Sequence, residues 1–172
     1  MNSISNLIGK LFYHYPDKLV NKLGHMYYQS QIKGKINTLH LKGRMRIQWP
    51  NRLVVGDNCC INDGCLMQCQ GGVTLGNSVT ISTGAIVLAR QYRMSDWYDQ
   101  CLKDEPEMDH EEKPVFLNDH TWIGAGAIIL PGVQIRGKGV VVAAGTIVTK
   151  DIEEDYVLVA GSPMRIVKKY GC

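Results

Sequence analysis

The constraint that most narrows the fold is a spacing of six. Aliphatic or Met residues fall at Val55, Ile61 and Met67, then after a step of eight at Leu75, Ile81 and Val87. They resume at Leu117, Ile123, Ile129, Ile135, Val141 and Ile147 in what reads as one unbroken register. The second position of a hexad is often small or polar (Gly56, Asn62, Gly76, Ser82, Asn118, Gly124). The fifth is usually small or β-branched (Cys59, Cys65, Val79, Ala85, Thr121, Ala127, Val133, Gly145). An amphipathic helix repeats at 3.6 and a plain strand at 2.0, so neither gives six. Three hexads close one triangular coil of about 18 residues, stacked in parallel on its neighbours. The aliphatic anchor points inward on each face, and the small residue sits inward near the corner. The eight-residue step from Met67 to Leu75, through Gly71 and Gly72, predicts a bulged corner. A similar step runs from Ile47 to Val55 through Pro50.

Composition agrees with this reading where it bears on it. The chain has 172 residues, about one domain's worth, with 45% apolar and 20% charged residues, which excludes a disordered chain. It has 18 Gly but only 6 Pro, without the triplet of collagen. Gly instead marks corners, where unusual φ is needed. The net charge of +3 hides a split. Residues 1–52 hold nine Lys or Arg against one acid, Asp17, whereas residues 53–172 hold ten against fifteen. No stretch approaches the roughly 20 apolar residues of a membrane-spanning helix. The first residues, MNSISNLIGKLFYHYPDK, do not read as a secretory signal. Six cysteines without paired CxxC spacing argue against a zinc site and for a reducing, cytoplasmic setting. No GxxxxGK[ST] loop is present, which disfavours a nucleotide triphosphatase. Nothing points to nucleic acid.

Residues 1–35 read as an amphipathic helical segment. Ile4, Leu7, Ile8, Leu11 and Phe12 recur at three and four, Pro16 and Asp17 interrupt, and Leu19, Val20, Leu23, Met26 and Tyr27 resume. Two short helices account for this, either as a cap on the domain or as a basic surface making peripheral contact with membrane headgroups or an anionic acceptor. The repeat domain spans 36–167, with a tail at 168–172. Residues 88–116 cannot be threaded as hexads. This excursion carries eight acids, four bases, two Tyr and one Trp, and loops of that length are usually functional or disordered.

The block NDHTWIGAGAIILPGVQIRGKGVVVAAGTIVTKDI, followed by VAGSPMRIV, resembles the C-terminal coils of the hexapeptide-repeat acyltransferases, in the sugar O-acetyltransferase branch. The resemblance covers roughly residues 40–167. It implies a mainly β chain folded as a left-handed parallel β-helix, a homotrimer with sites between subunits, and acetyl-CoA as co-substrate without a metal. It further implies acetyl transfer to a hydroxyl of a sugar or glycan intermediate.

Such a transfer needs a base for the hydroxyl proton and a donor at the oxyanion. In the family the excursion carries the catalytic histidine, soon after the last anchor. Here that place reads Gln91, Tyr92, Arg93. His110, flanked by Asp109, Glu111 and Glu112, is the candidate base from the far end of the loop. Otherwise another group serves, or activity is lost. His14, His25 and His40 precede the repeat and His120 reads as an outward coil residue. By resemblance Trp122 shapes the acetyl end of the site, Ala125 and Ala144 line the pantetheine groove, and Thr149, Lys150 and Arg165 lie near the nucleotide end. Tyr92, Asp96 and Trp97 are candidate acceptor contacts. Three readings stand beside this one: an amino-sugar N-acetyltransferase, a non-catalytic trimeric scaffold, and a β-helix carbonic anhydrase, which would need three metal-binding histidines.

Overall fold

A computed structural model describes residues 15–93, 95, 97–102 and 109–171. The chain divides into two compact units, Met1–Gln31 and Ile32–Cys172. In the first, helix α1 spans Tyr15–Gln31. Pro16 falls in its first turn, where a missing N–H breaks no helical hydrogen bond. The interruption in the apolar spacing is therefore a helix start. Leu19, Val20, Leu23, Met26 and Tyr27 are each more than half exposed. The first of the two predicted helices, which carries Ile4, Leu7, Ile8, Leu11 and Phe12, falls on residues outside the described ones. No described helix is long and apolar enough to cross a membrane.

The second unit is a β-solenoid of about six turns, and its short strands stack into three parallel sheets. Face A is built from Lys33–Gly34, Leu53–Val55, Val73–Leu75, Val115–Leu117 and Gln134–Ile135. Face B is built from His40–Leu41, Cys60–Ile61, Thr80–Ile81, Trp122–Ile123, Val141–Val142 and Val157–Ala160, closed by the antiparallel strand Arg165–Lys169. Face C holds Arg46–Gln48, Leu66–Gln68, Ile86–Leu88, Ile128–Ile129 and Ile147–Val148. Each coil donates its backbone N–H groups to the next: Cys60 to the Val79 carbonyl at 2.9 Å, Thr80 to Thr121 at 2.9 Å, Trp122 to Val140 at 2.8 Å.

The predicted anchors form the core. Ile61, Met67, Ile81, Val87, Leu117, Ile123, Ile129 and Ile135 are fully buried. The fifth-position residues Cys59, Val79, Ala85, Thr121 and Ala127 are buried beside them. The predicted bulge lies at the corner between Gln68 and Val73, where Gly72 takes φ +90°. At the other wide step, Pro50–Arg52 forms a single 3-10 turn.

One element of the repeat reading is corrected. The register is not unbroken to the end. Ile123 pairs with Val142 and Ile129 with Val148, so the late anchors are Val142 and Val148 rather than Val141 and Ile147. The matching inward small residue is Thr146, not Gly145. The cause is one extra residue at the corner after Ile135. Gly137 passes so close to the Glu154 carbonyl that a Cβ would overlap it, and Gly139 takes φ +62°. The sequence hides this slip because aliphatic residues occupy both registers, at Val141–Val142 and Ile147–Val148.

Two outcomes follow from this core. Ile129→Ala leaves a cavity between stacked coils, and the urea midpoint should fall by an amount equivalent to about 2–5 kcal/mol. Burial pushes the Cys69 thiol up to about 12, so it stays protonated at neutral pH. Brief alkylation of native protein should label exposed Cys101 and spare Cys69, with peptide mass spectrometry reading both sites.

Candidate active site

The excursion leaves after Leu88 and returns at Val115 as an antiparallel hairpin. Strand Arg90–Tyr92 pairs with His110–Glu112, in the register Arg90 with Glu112, Gln91 with Glu111, and Tyr92 with His110. Between them a short helix spans Trp97–Cys101. Trp97 opens that helix, Tyr98 on it is exposed, and Asp96 lies outside the described residues.

Antiparallel pairing explains how a residue eighteen positions downstream of Tyr92 can sit beside it. The Tyr92 and His110 rings lie with centroids 4.4 Å apart and planes tilted by 35°. Both residues are exposed. The acids of the returning strand are each engaged. Glu112 bonds Arg52 at 2.7 Å, Asp109 bonds Arg93 at 3.4 Å, and Glu111 bonds Lys113 at 2.8 Å. The Lys113 ammonium, helped by the Gln91 amide, holds the Glu111 carboxyl below the usual carboxylate range, so it remains an anion. Arg52 also donates to the Gln70 carbonyl, tying the hairpin to the bulged corner.

A cavity of about 470 Å³ opens under the hairpin, lined by Gln68, Gln70, Leu88, Arg90, Gln91, Tyr92 and His110. Gln68 and Leu88 are paired strand ends on face C. The sequence reading missed Gln68, Gln70 and Arg90. Its only signal was the eight-residue step that contains Gln70, read there as a bulge alone.

Trp122 stands elsewhere, on face B. It is 53% exposed, and its indole N–H donates to the Ser82 hydroxyl on the preceding coil at 2.8 Å. It does not line the cavity that holds His110. Ala125 and Ala144 are exposed on one column of corners between faces B and C. There the Ala125 carbonyl accepts from Gly145 N–H at 2.9 Å. Gly124 is required beneath them, since a Cβ would come within 2.6 Å of the Ala144 nitrogen. Strand Ile147–Val148 crosses face C from that column, and exposed Thr149 and Lys150 end it. Lys150 and Arg165 share a second cavity of about 380 Å³ with Asp151, Glu153 and Glu154. Those acids are partly neutralised: Arg136 bonds Asp151 at 3.2 Å and also Glu153, and Lys169 pairs with Glu154. No group of three His, Cys, Asp or Glu side chains could hold a metal among the described residues.

No family model matches the chain. It is 47% identical over 57 residues to a galactoside O-acetyltransferase of Lactococcus lactis, covering 33% of this chain and 27% of the relative. It is 50% identical over 56 residues to a 2,3,4,5-tetrahydropyridine-2,6-dicarboxylate N-acetyltransferase of Staphylococcus aureus, covering 33% and 23%. The chain thus aligns with about a quarter of the length of these curated relatives. Among solved structures, a maltose O-acetyltransferase from Clostridium difficile superposes with TM-score 0.72 at 27% identity, over 84% of this chain and 73% of that one. A hexapeptide-repeat acetyltransferase from Vibrio cholerae, complexed with acetyl coenzyme A, gives TM-score 0.71 at 23% identity, over 84% and 75%. The solenoid is accordingly of the left-handed β-helix type.

Proposed function

We infer that this chain, whose homologues and structural neighbours are hexapeptide-repeat acetyltransferases, is an acetyl-CoA-dependent O-acetyltransferase acting on a hydroxyl of a sugar or glycan. The observation that carries the reading is the hairpin register. Residues 91–93 lack the expected histidine, and cross-strand pairing sets His110 beside Tyr92 at the mouth of a cavity.

The chemistry then needs little else. The His110 imidazole takes the acceptor hydroxyl proton as that oxygen bonds to the thioester carbonyl carbon. The tetrahedral intermediate collapses, the C–S bond breaks, and the imidazolium returns its proton to the leaving thiolate. The Tyr92 ring limits how the imidazole can turn. Small exposed Ala125 and Ala144 suit close approach of a pantetheine arm to the corner backbone, and Lys150 and Arg165 suit its phosphates.

A single chain separates the parts. His110 sits beyond the end of face C, whereas Trp122 is on face B. A homotrimer that lays one prism edge over a neighbouring face supplies both to one site, and three-fold closure needs only one repeated contact. Amine acetylation is the runner-up, favoured by the 50% identity to an N-acetyltransferase.

Two measurements decide between transferase and scaffold. His110→Ala should cut thiol release from acetyl-CoA at least about a hundredfold. Mixing it, after co-refolding, with inactive Trp122→Ala should restore part of the activity if sites are shared between subunits. Acetyl-CoA at about a hundred times its Kd should stabilise the native state by about 2.7 kcal/mol in thermal melts. Arg165→Glu should remove most of that shift, and a protein that acetyl-CoA leaves unshifted would be a scaffold.

A further inference from the structure

Two side chains that line the cavity under the hairpin each carry a buried polar atom without a hydrogen-bond partner among the described residues. Gln70 is only 4% exposed, and its side-chain oxygen has no hydrogen-bond partner. The buried Nε of Arg90 also has none. Both residues line the same cavity, beside Tyr92 and His110. Buried polar groups are rarely left this way, so each orphan asks for an explanation.

The charges around the cavity sharpen the question. Three carboxylates stand on or beside the returning strand, and each is claimed by another cation or amide. Glu112, directly opposite Arg90 in the pairing, bonds Arg52 instead. Glu111 is held by Lys113 and Gln91, and Asp109 by Arg93. Among the described residues, Arg90 is left as the cavity-lining cation without an anionic partner. An acceptor oxygen on Gln70 and a guanidinium donor on Arg90 together ask for a ligand that brings a hydroxyl and an anion.

The geometry points to an acceptor subsite for an anionic sugar, in which Arg90 takes a carboxylate or phosphate and Gln70 accepts a hydrogen bond from a ring hydroxyl. The subsite rests on the transferase reading for its purpose but not for its detection. Held there, the sugar lies against the face of the cavity where His110 stands, so its unclaimed hydroxyl is the one offered for transfer. A neutral hexose would leave the guanidinium without a counter-charge, and the site would discriminate against it.

Binding can be measured without turnover. Methyl β-D-glucuronide, glucose 6-phosphate and methyl β-D-glucoside are titrated into the full-length protein by ligand-observed NMR. At least one anionic sugar should bind about tenfold or more tighter than the neutral glucoside, as a charge-assisted hydrogen bond implies. The tighter anion identifies carboxylate or phosphate as the natural group. Arg90→Gln should erase the preference by weakening the anionic sugars about tenfold or more toward the affinity of the glucoside. Gln70→Leu should weaken all three sugars by a similar factor and leave the melting temperature unchanged or raised, since it removes an orphan acceptor. Equal affinities for charged and neutral sugars would overturn the proposal, as would a preference that survives Arg90→Gln. So would a large drop in melting temperature for Gln70→Leu with sugar binding intact, because the two side chains would then serve the fold alone. If acetyl-CoA neither binds nor turns over but the Arg90-dependent preference is present, the transferase reading fails and the anionic-sugar site stands.

Discussion

The structure depends on coil-to-coil stacking of identical inward positions. An aliphatic side chain on one coil lies over its counterpart on the next, while the backbone between them forms the parallel ladder. Neither part is sufficient alone: a two-residue strand such as Cys60–Ile61 has too few ladder bonds to persist by itself. Stacked on Thr80–Ile81, it gains both the ladder and the buried contact between Ile61 and Ile81. The corners make this possible. Where coils pass closely, as at Gly56 over Gly76, a Cβ would come within 2.6 Å of backbone, so only glycine lets the faces stay in register.

The candidate site exists because that stacking is interrupted once. Ile86–Leu88 pairs across the gap with Ile128–Ile129, and Val73–Leu75 with Val115–Leu117, so the solenoid closes over the excursion as though it were absent. The excursion is then free to use a different pairing. Its antiparallel stem brings residue 110 against residue 92; Gln91–Glu111 and Arg93–Asp109 bridge its two strands, Lys113 holds Glu111, and Arg52, bonded to Glu112, ties the stem to the C–A corner. Each exposed pair contributes little by itself. Their collective effect is selective: they occupy the stem's carboxylates and leave Arg90 uncompensated.

Much of the solenoid was legible in the chain. The period of six, the wide corners at Pro50 and at Gly71–Gly72, and most anchors can be read without coordinates. The late slip was not, because Val141–Val142 and Ile147–Val148 satisfy either register and only the tight Gly137–Glu154 approach selects one. At the site, His110 could be singled out by its type and its place in the excursion. Its neighbourhood could not, since Tyr92 and His110 are brought together by a strand register that no periodicity encodes. Gln70 was invisible as a site residue for a similar reason: its corner looks like spacing in the sequence and becomes a cavity wall only when the hairpin covers it.

The sequence by itself determined the architecture of the repeat, because a hexad pattern leaves one way to bury every sixth side chain while pairing every backbone group. It also named the chemical types at hand: an imidazole, exposed aromatics, and basic residues near the end of the repeat. Tertiary structure alone decided which of these meet. Lys150 and Arg165 converge because the antiparallel strand Arg165–Lys169 folds back onto Val157–Ala160. Tyr92, His110, Gln70 and Arg90 converge because a hairpin bends over a bulged corner. Local periodicity sets which way a side chain faces, whereas proximity across long sequence gaps is set by pairing register and packing, which periodicity does not record.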